Sequence, residues 1–157
     1  RHDPDMASVV ARSGAAVVLM HMRGTPRTMQ THTRYEDLVG EIRAFLEERI
    51  AFAVAAGIDR DKIIIDPGLG FGKSVEQGNF EILNRLDAFL SLNRPVLVGP
   101  SRKAFIRLCA GDSVADRDWG TAAAVAIAVY KGAHMLRVHD VAHMRIAAQV
   151  AAAVREG

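Results

Sequence analysis

The stretch with the most evident chemical potential is an apolar run that ends in a carboxylate and continues into a glycine-rich loop. Ile63-Ile64-Ile65 leads to Asp66, and Pro67-Gly68-Leu69-Gly70-Phe71-Gly72-Lys73 follows. Isoleucine runs that bury both faces are typical of parallel strands, and α/β proteins bind ligands at the carboxyl ends of such strands. Asp66 can pair with an amidine-like N–C–N edge through two hydrogen bonds, while the glycines let the backbone approach a flat ligand. A loop held by an Asx turn is the alternative interpretation.

Two further polar clusters lie at the ends of predicted strands. One is Leu19-Met20-His21-Met22-Arg23-Gly24, and another is Arg137-Val138-His139-Asp140. Arg137 and His139 are two residues apart, so in a strand they point to the same side. Together they form a cationic clamp suited to phosphate oxygens. A surface arginine beside a core histidine is the alternative interpretation.

A third cluster, Gly99-Pro100-Ser101-Arg102-Lys103, combines two cations with the predicted start of a helix. Ser101 is expected to cap a short helix that runs to Leu108, so free backbone N–H groups and both cations converge on one spot. Helix N-termini favour anions, and a carboxylate or phosphate ligand is therefore reasonable here. A capped helix with exposed basic residues explains the segment alone equally well.

Two motifs look like known sites but lack a required residue. The glycine loop resembles a phosphate-binding P-loop, which needs glycine where Pro67 stands. The segment from His139 to His143 resembles a zinc-protease motif, which needs glutamate second and both histidines on one helix. Asp140 is expected to cap a helix instead, which leaves His139 on the strand. The sequence therefore predicts neither of these two sites.

The elements that carry these residues are a helix followed by four strand–helix units. Strands are predicted at 15–20, 62–65, 96–98 and 134–138, and loops at 21–33 and 109–117. Helices are predicted from Asp3 to Gly14 with Met6, Val9 and Val10 buried, then at 35–56, 80–89, 101–108, 119–131 and after Asp140. This order indicates an α/β fold with parallel strands and right-handed crossovers. It fits either a small doubly wound domain or half of an eight-stranded barrel.

Composition narrows the class of protein. The 157 residues, 50% of them hydrophobic, suffice for one domain, and a net charge of +2 without charge blocks argues against a nucleic-acid partner. Cys109 is the only cysteine, which indicates a reducing compartment, and the apolar runs are too short to span a membrane. We therefore expect a cytoplasmic protein. Because Arg1 is not an initiator methionine, we also expect a piece of a longer chain.

Taken together, the strand-end segments resemble dihydropteroate synthase in their order and spacing. They are Leu19-Met20-His21-Met22-Arg23-Gly24, Asp66 to Lys73, Gly99 to Lys103 and Arg137 to Asp140, and Asp3-Pro4-Asp5-Met6 is similar to that family's helix after its fourth strand. The resemblance implies a (β/α)8 TIM barrel that joins a dihydropterin-methyl diphosphate to 4-aminobenzoate in folate biosynthesis. It implies that residues 1–157 are the C-terminal part of the pterin-binding domain, with strands five to eight and no N-terminal half.

The resemblance also implies a role for each matching residue around the pterin. Asp66 would hold its amino-pyrimidine edge, and Lys103 would hydrogen-bond to it. Met20 and Gly99 would line the pocket.

The remaining matches concern the second substrate and the leaving group. Phe71 would pack beside 4-aminobenzoate, and Ser101 would receive its carboxylate with Arg102 nearby. Arg137 and His139 would bind the diphosphate, and Arg137 would also stack on the pterin. The residues that the resemblance marks as catalytic are Lys103, Arg137 and His139.

Other features implied by the resemblance fall outside this chain. The family's first half supplies an asparagine that binds Mg²⁺ and two mobile loops, so we expect Mg²⁺ as cofactor with no metal ligand here. We expect a homodimer for the full-length protein and an inactive isolated chain. Alternatives are the pterin- or folate-binding domain of a corrinoid-linked methyltransferase and a non-enzymatic truncated paralogue.

Overall fold

The computed structural model describes residues 3–31 and 33–157, in which strands alternate with helices. The elements are α1 Met6–Ser13, β1 Val17–Met20, α2 Leu38–Ala55, β2 Ile63–Asp66, α3 Gly78–Asn84, β3 Leu97–Val98, α4 Ala104–Ala110, α5 Val114–Tyr130, β4 Met135–Leu136 and α6 Val141–Glu156. Two 3₁₀ helices, Arg60–Lys62 and Leu86–Leu92, precede β2 and β3. Arg1, on which the expectation of a longer chain depends, lies outside the described residues.

The four strands are parallel and adjacent in chain order. β1 pairs with β2 from Val17–Ile63 to Met20–Asp66, and β3 pairs with β4 through Leu97–Met135 and Val98–Leu136. A single parallel bridge between Ile65 and Val96 joins the two pairs. The predicted α/β class is therefore confirmed.

One face of this sheet is covered by helices. Ile63, Ile65, Val96 and Val98 are fully buried there and belong to the main core cluster. Because side chains alternate along a strand, the residues between them point to the opposite face. Ile64 on that face is only partly buried, so the isoleucine run buries one face fully rather than both.

The longest helix matches its prediction closely. Four apolar residues of α2 are buried at helical spacing, namely Leu38, Ile42, Leu46 and Ile50. Asp37 caps α2 by accepting a hydrogen bond from the N–H of Gly40, and the chain turns at Gly57 with a φ of 90°. This packing anchors the layer that lies over β1 and β2.

The prediction for α1 is wrong in two respects. Met6 and Val9 are 54% and 49% exposed, and only Val10 packs partly against the core. Asp3 accepts the N–H of Asp5 instead of capping the helix, which begins at Met6. An apolar stripe shows which side of a helix would be buried by packing. It does not show whether another helix or strand among the described residues packs against that side.

The segment from residue 78 to residue 130 also differs from the prediction. The predicted helix at 80–89 divides at Arg85 into α3 and a 3₁₀ helix, and the predicted loop at 109–117 is mostly helical. Ser113 caps α5 by accepting the N–H of Asp116, so the loop shrinks to three residues between α4 and α5. Ser113 and Asp116 have the spacing of a capping box, which is the sequence signal for this helix start.

The strands end within two residues of their predicted positions. β1, β3 and β4 are shorter than predicted, and β4 covers only two of the five predicted residues, whereas β2 keeps the predicted length of four residues and is shifted by one. Within residues 3–31 and 33–157, no helix has the length and apolar character needed to cross a membrane.

We predict that Ile65→Ala lowers the free energy of unfolding by about 2–5 kcal/mol, because it leaves a cavity between the central strands and the helices. Val114→Ala, at an exposed position, should change it by less than about 0.5 kcal/mol. Urea unfolding of both variants measures the difference. Equal losses would show that β2 is not in the centre of the core.

Candidate functional site

Four of the predicted site residues lie on one face of the sheet near its carboxyl edge. Met20 is paired with Asp66 at the ends of β1 and β2. Strand alternation places both on the face opposite to Ile65, which faces the helices. Alternation does the same for Gly99 and Arg137, which follow β3 and β4. The polar residues at the ends of the strands therefore lie on one surface.

The Asp66 carboxyl group is buried and surrounded by cations. Its Oδ1 accepts the N–H of Gly68 at 2.7 Å, and its Oδ2 lies 4.0 Å from a guanidinium nitrogen of Arg137. Burial raises the pKa of Asp66, while the Gly68 N–H and the charges of Arg137, Lys73 and Lys103 act in the opposite direction. The Asx turn weighed as an alternative is present, and it leaves Oδ2 next to a cation.

The glycine loop after β2 requires its glycines for close approach. Gly68 has a φ of 74°, and a Cβ there would lie 2.0 Å from the carbonyl oxygen of His21. A Cβ on Gly70 would lie 3.1 Å from Cδ of Lys103. The Lys103 ammonium in turn sits 4.1 Å from the ring centre of Phe71. The loop thus holds an aromatic face and a cation beside Asp66.

Gly99 allows the Arg137 side chain to lie against β3. A Cβ on Gly99 would be 3.1 Å from one guanidinium nitrogen of Arg137 and 3.3 Å from Nε. The Arg137 side chain remains 61% exposed. It can therefore bind a ligand from the solvent side while it contacts Gly99 on the other.

Ser101 contacts His139 and does not cap a helix, so that prediction is wrong. Its Oγ lies 2.8 Å from Nδ1 of His139 and accepts the backbone N–H of His139 at 3.3 Å. The helix α4 begins at Ala104, with Lys103 at the N-cap and no side-chain cap. The hydroxyl of Ser101 can donate to Nδ1 or accept from it, and the tautomer of His139 decides which.

Arg102 is paired with an acidic residue, Asp118, that sequence reasoning missed. Its φ is 55°, and its guanidinium forms two hydrogen bonds with Asp118 at 2.8 and 2.9 Å. This pairing raises the pKa of Arg102 and lowers the pKa of Asp118. Sequence reasoning missed Asp118 because its pairing depends on the left-handed conformation of Arg102, which no sequence pattern predicts.

The second rejected motif matches its prediction at Asp140 only, because β4 ends at Leu136 and His139 lies after the strand instead of on it. Asp140 accepts the N–H of His143 at 3.1 Å and thereby caps α6. In the part of the chain that the structure describes, no three His, Cys, Asp or Glu side chains are grouped so as to hold a metal ion.

Sequence reasoning placed Lys73 at the end of the glycine loop but missed its role. Its side chain is 1% exposed. Its ammonium donates to the carbonyl oxygens of Pro67 and Gly68 at 2.8 and 2.9 Å, and it lies 2.8 Å from Nδ1 of His21. Burial lowers the pKa of Lys73 to about 7. A lysine at the end of an otherwise apolar and glycine-rich loop is the sequence signal that could have identified it.

The loop between β1 and α2 fastens the glycine loop from the other side. The hydroxyl of Tyr35 donates to the carbonyl oxygen of Gly72 at 2.7 Å, and the amide of Gln30 donates to that of Gly70 at 3.2 Å. The position of Phe71 between these two carbonyls is therefore fixed from two sides.

A cavity of about 780 Å³ lies elsewhere, among residues of α1, β1 and α2. Met20 lines it, but Asp66, Lys103 and Arg137 do not. We place the candidate site at the strand ends because the polar groups converge there, whereas the cavity has a mostly apolar lining.

Comparison with known proteins identifies relatives. Residues 1–139 match the family model described as pterin binding enzyme. Dihydropteroate synthase of Synechocystis is 42% identical over 97% of this chain, which covers 53% of that protein. The chain spans about half the length of the curated relatives it matches.

Solved structures similar to this chain are also dihydropteroate synthases. Dihydropteroate synthase of Thermus thermophilus in complex with 4-aminobenzoate superposes with a TM-score of 0.89 and 44% identity, over 98% of this chain and 62% of that one. The same protein was solved in complex with 6HMPPP, with a TM-score of 0.89. The Yersinia pestis enzyme in a sulfonamide drug complex gives a TM-score of 0.94 and 36% identity, over 99% and 56% of the two chains. The resemblance to dihydropteroate synthase is confirmed, and the chain belongs to the family of pterin-binding enzymes.

Proposed function

We propose that this chain is the C-terminal half of a (β/α)8 barrel and works within a full-length dihydropteroate synthase. That enzyme condenses (7,8-dihydropterin-6-yl)methyl diphosphate with 4-aminobenzoate to give 7,8-dihydropteroate and diphosphate. The observation that carries the proposal is the buried Asp66 carboxyl group, flanked by Arg137 and Lys103 at the carboxyl edge of four parallel strands. The ligands named for the Thermus structures, 4-aminobenzoate and 6HMPPP, support it.

Asp66 and Lys103 position the pterin in this proposal. One carboxylate offers lone pairs on both oxygens, so Asp66 can keep its bond to Gly68 and still accept two N–H groups of the pterin. The ammonium of Lys103 is held over Phe71, where it reaches the same surface. Met20 and Gly99 line that surface.

The diphosphate binds to Arg137 and His139, both of which are exposed. The hydroxyl of Ser101 on Nδ1 orients the imidazole of His139. The carboxylate of 4-aminobenzoate approaches Ser101, and its ring packs beside Phe71. Arg102 lies nearby, but its charge is already balanced by Asp118.

The reaction replaces a C–O bond by a C–N bond at the pterin methylene. The diphosphate leaves with the electron pair of the C–O bond, and Arg137 and His139 stabilise its negative charge. The arylamine nitrogen donates its lone pair to the methylene carbon and then releases a proton. Lys103 and Asp66 keep the pterin oriented during this exchange. A diphosphate clamp has no purpose in a corrinoid-linked methyltransferase, so these residues favour the synthase.

The described residues do not fit a magnesium site. No cluster of acidic or histidine side chains suitable for a metal occurs in residues 3–31 and 33–157, and the Asp66 carboxyl group already faces three cations. Mg²⁺ prefers oxygen ligands that are free to coordinate it. No step is therefore assigned to a metal here, and a ligand in the N-terminal half remains a prediction, as does a homodimer.

We predict that the full-length protein forms 7,8-dihydropteroate from the two substrates, and that residues 1–157 alone form it at no more than a small fraction of that rate. Half a barrel leaves the pocket open to water on one side. Product formation by both proteins, followed by chromatography, measures the difference. Absence of product from the full-length protein would refute the proposed function, and equal rates would refute the half-barrel assignment.

We predict that Asp66→Asn weakens binding of the bare dihydropterin by about 10- to 100-fold, because an amide replaces the charged acceptor of two hydrogen bonds. Calorimetry on the full-length protein measures the affinity. Asp61→Asn, which changes an exposed aspartate at the other end of β2, is the matched control. An unchanged affinity in Asp66→Asn would remove Asp66 from the site.

We predict that Arg137→Ala weakens binding of the pterin diphosphate by about 10-fold more than binding of the bare pterin, since a charge-assisted contact is lost. Arg145→Ala, at an exposed position of α6, should leave both affinities unchanged. If both ligands lose affinity equally in Arg137→Ala, the residue acts mainly by stacking and the clamp assignment is wrong.

A further inference from the structure

The ammonium of Lys73 lies behind the glycine loop and makes hydrogen bonds with groups on both sides of it. On the loop itself it donates to the carbonyl oxygens of Pro67 and Gly68. In the loop after β1, it lies 3.1 Å from the carbonyl oxygen of His21 and 2.8 Å from Nδ1 of the same residue. Lysine has three N–H donors, and all of them have acceptors within reach here.

These contacts connect Lys73 to Asp66 through a single residue. The carbonyl oxygen of Gly68 accepts from Lys73, and the N–H of Gly68 donates to Oδ1 of Asp66 at 2.7 Å. Pro67, whose carbonyl is the other loop acceptor, directly follows Asp66 in the chain. Movement of the ammonium would therefore shift the turn that orients the carboxylate.

Charge links the same two residues. The groups that face the Asp66 carboxylate are Arg137 after β4, Lys103 before α4 and Lys73 in the glycine loop, and each lowers its pKa against the effect of burial. The charged groups that face Lys73 are Asp66, Lys103 and Arg23. Asp66 is the one anion in that set, so the buried ammonium and the buried carboxylate stabilise each other's charged forms.

We propose that Lys73 is a positioning residue that holds Asp66 in the orientation and charge state needed to recognise the pterin. This inference depends on the proposed function, because it assigns Asp66 to the pterin. Lys73 itself is too deeply buried to touch a substrate, so it acts only through Asp66 and the glycine loop.

The test compares two variants of the full-length protein by calorimetry with bare 6-hydroxymethyl-7,8-dihydropterin over a range of pH. Lys73→Gln keeps hydrogen-bond donors but removes the charge, and Lys73→Met removes both. Asp66 binds in its ionised form, so affinity is lost as the pH falls through its pKa. Loss of the neighbouring cation raises that pKa, and the acidic limb should move up by roughly one pH unit in both variants. Lys73→Met should also bind more weakly above the limb.

Lys131→Gln is the matched control, because this lysine pairs with Asp87 at 3.9 Å, away from the site. Its acidic limb should coincide with that of the wild type. Acidic limbs of Lys73→Gln and Lys73→Met at the wild-type pH would overturn the inference and leave the proposed function intact. A wild-type protein that does not bind the pterin would overturn the proposed function, and the inference with it.

A second measurement does not depend on whether the variants fold. Nitrogen NMR of the wild-type protein reports the tautomer of His21. If Lys73 donates to Nδ1, the neutral imidazole carries its proton on Nε2. A proton on Nδ1 would show that Nζ of Lys73 is not a charged donor at this position, and the inference, which needs that charge, would fail.

Discussion

The parallel register of the four strands is the constraint on which the candidate site depends. Met20 is level with Asp66, and the bridge between Ile65 and Val96 fixes the second strand pair against the first. A shift of one residue in any strand would turn its polar end toward the helices and its buried residues toward the ligand. The burial of Ile65 and Val98 under the helices thus determines where the Asp66 carboxyl group and the Arg137 guanidinium point.

A second constraint follows from burial of charge. A carboxylate taken out of water is stabilised only by nearby cations and hydrogen-bond donors. Arg137, Lys103 and Lys73 provide the charges, and the N–H of Gly68 provides the donor. The glycine loop supplies backbone groups to both Asp66 and Lys73, so the same turn holds the carboxylate that is proposed to bind the pterin and the cation behind it. Phe71 is carried by this turn, which links the two proposed substrate pockets.

The sequence was informative where a local pattern determines the structure. The apolar spacing of α2, the cap at Asp140 and the polar strand ends each depend on a few neighbouring residues, and the structure has all three. The sequence was uninformative where the contacts of a side chain depend on a residue far away along the chain. The sequence around Ser101 predicts a helix cap, but in the structure the Ser101 hydroxyl is hydrogen-bonded to His139. The sequence around Arg102 predicts an exposed cation, but a left-handed turn places its guanidinium against Asp118. Lys73 was hidden because its acceptors come from two separate loops.

The central claim is that the pterin binds at the strand ends, with Asp66 as its main anchor, rather than in the apolar cavity beside β1. A crystal structure of the full-length protein with bare 6-hydroxymethyl-7,8-dihydropterin tests this most directly. We expect the exocyclic amino group and the adjacent ring N–H within about 2.7–3.2 Å of the Asp66 oxygens. A pterin bound among α1, β1 and α2, with Asp66 holding only Gly68, would contradict the account.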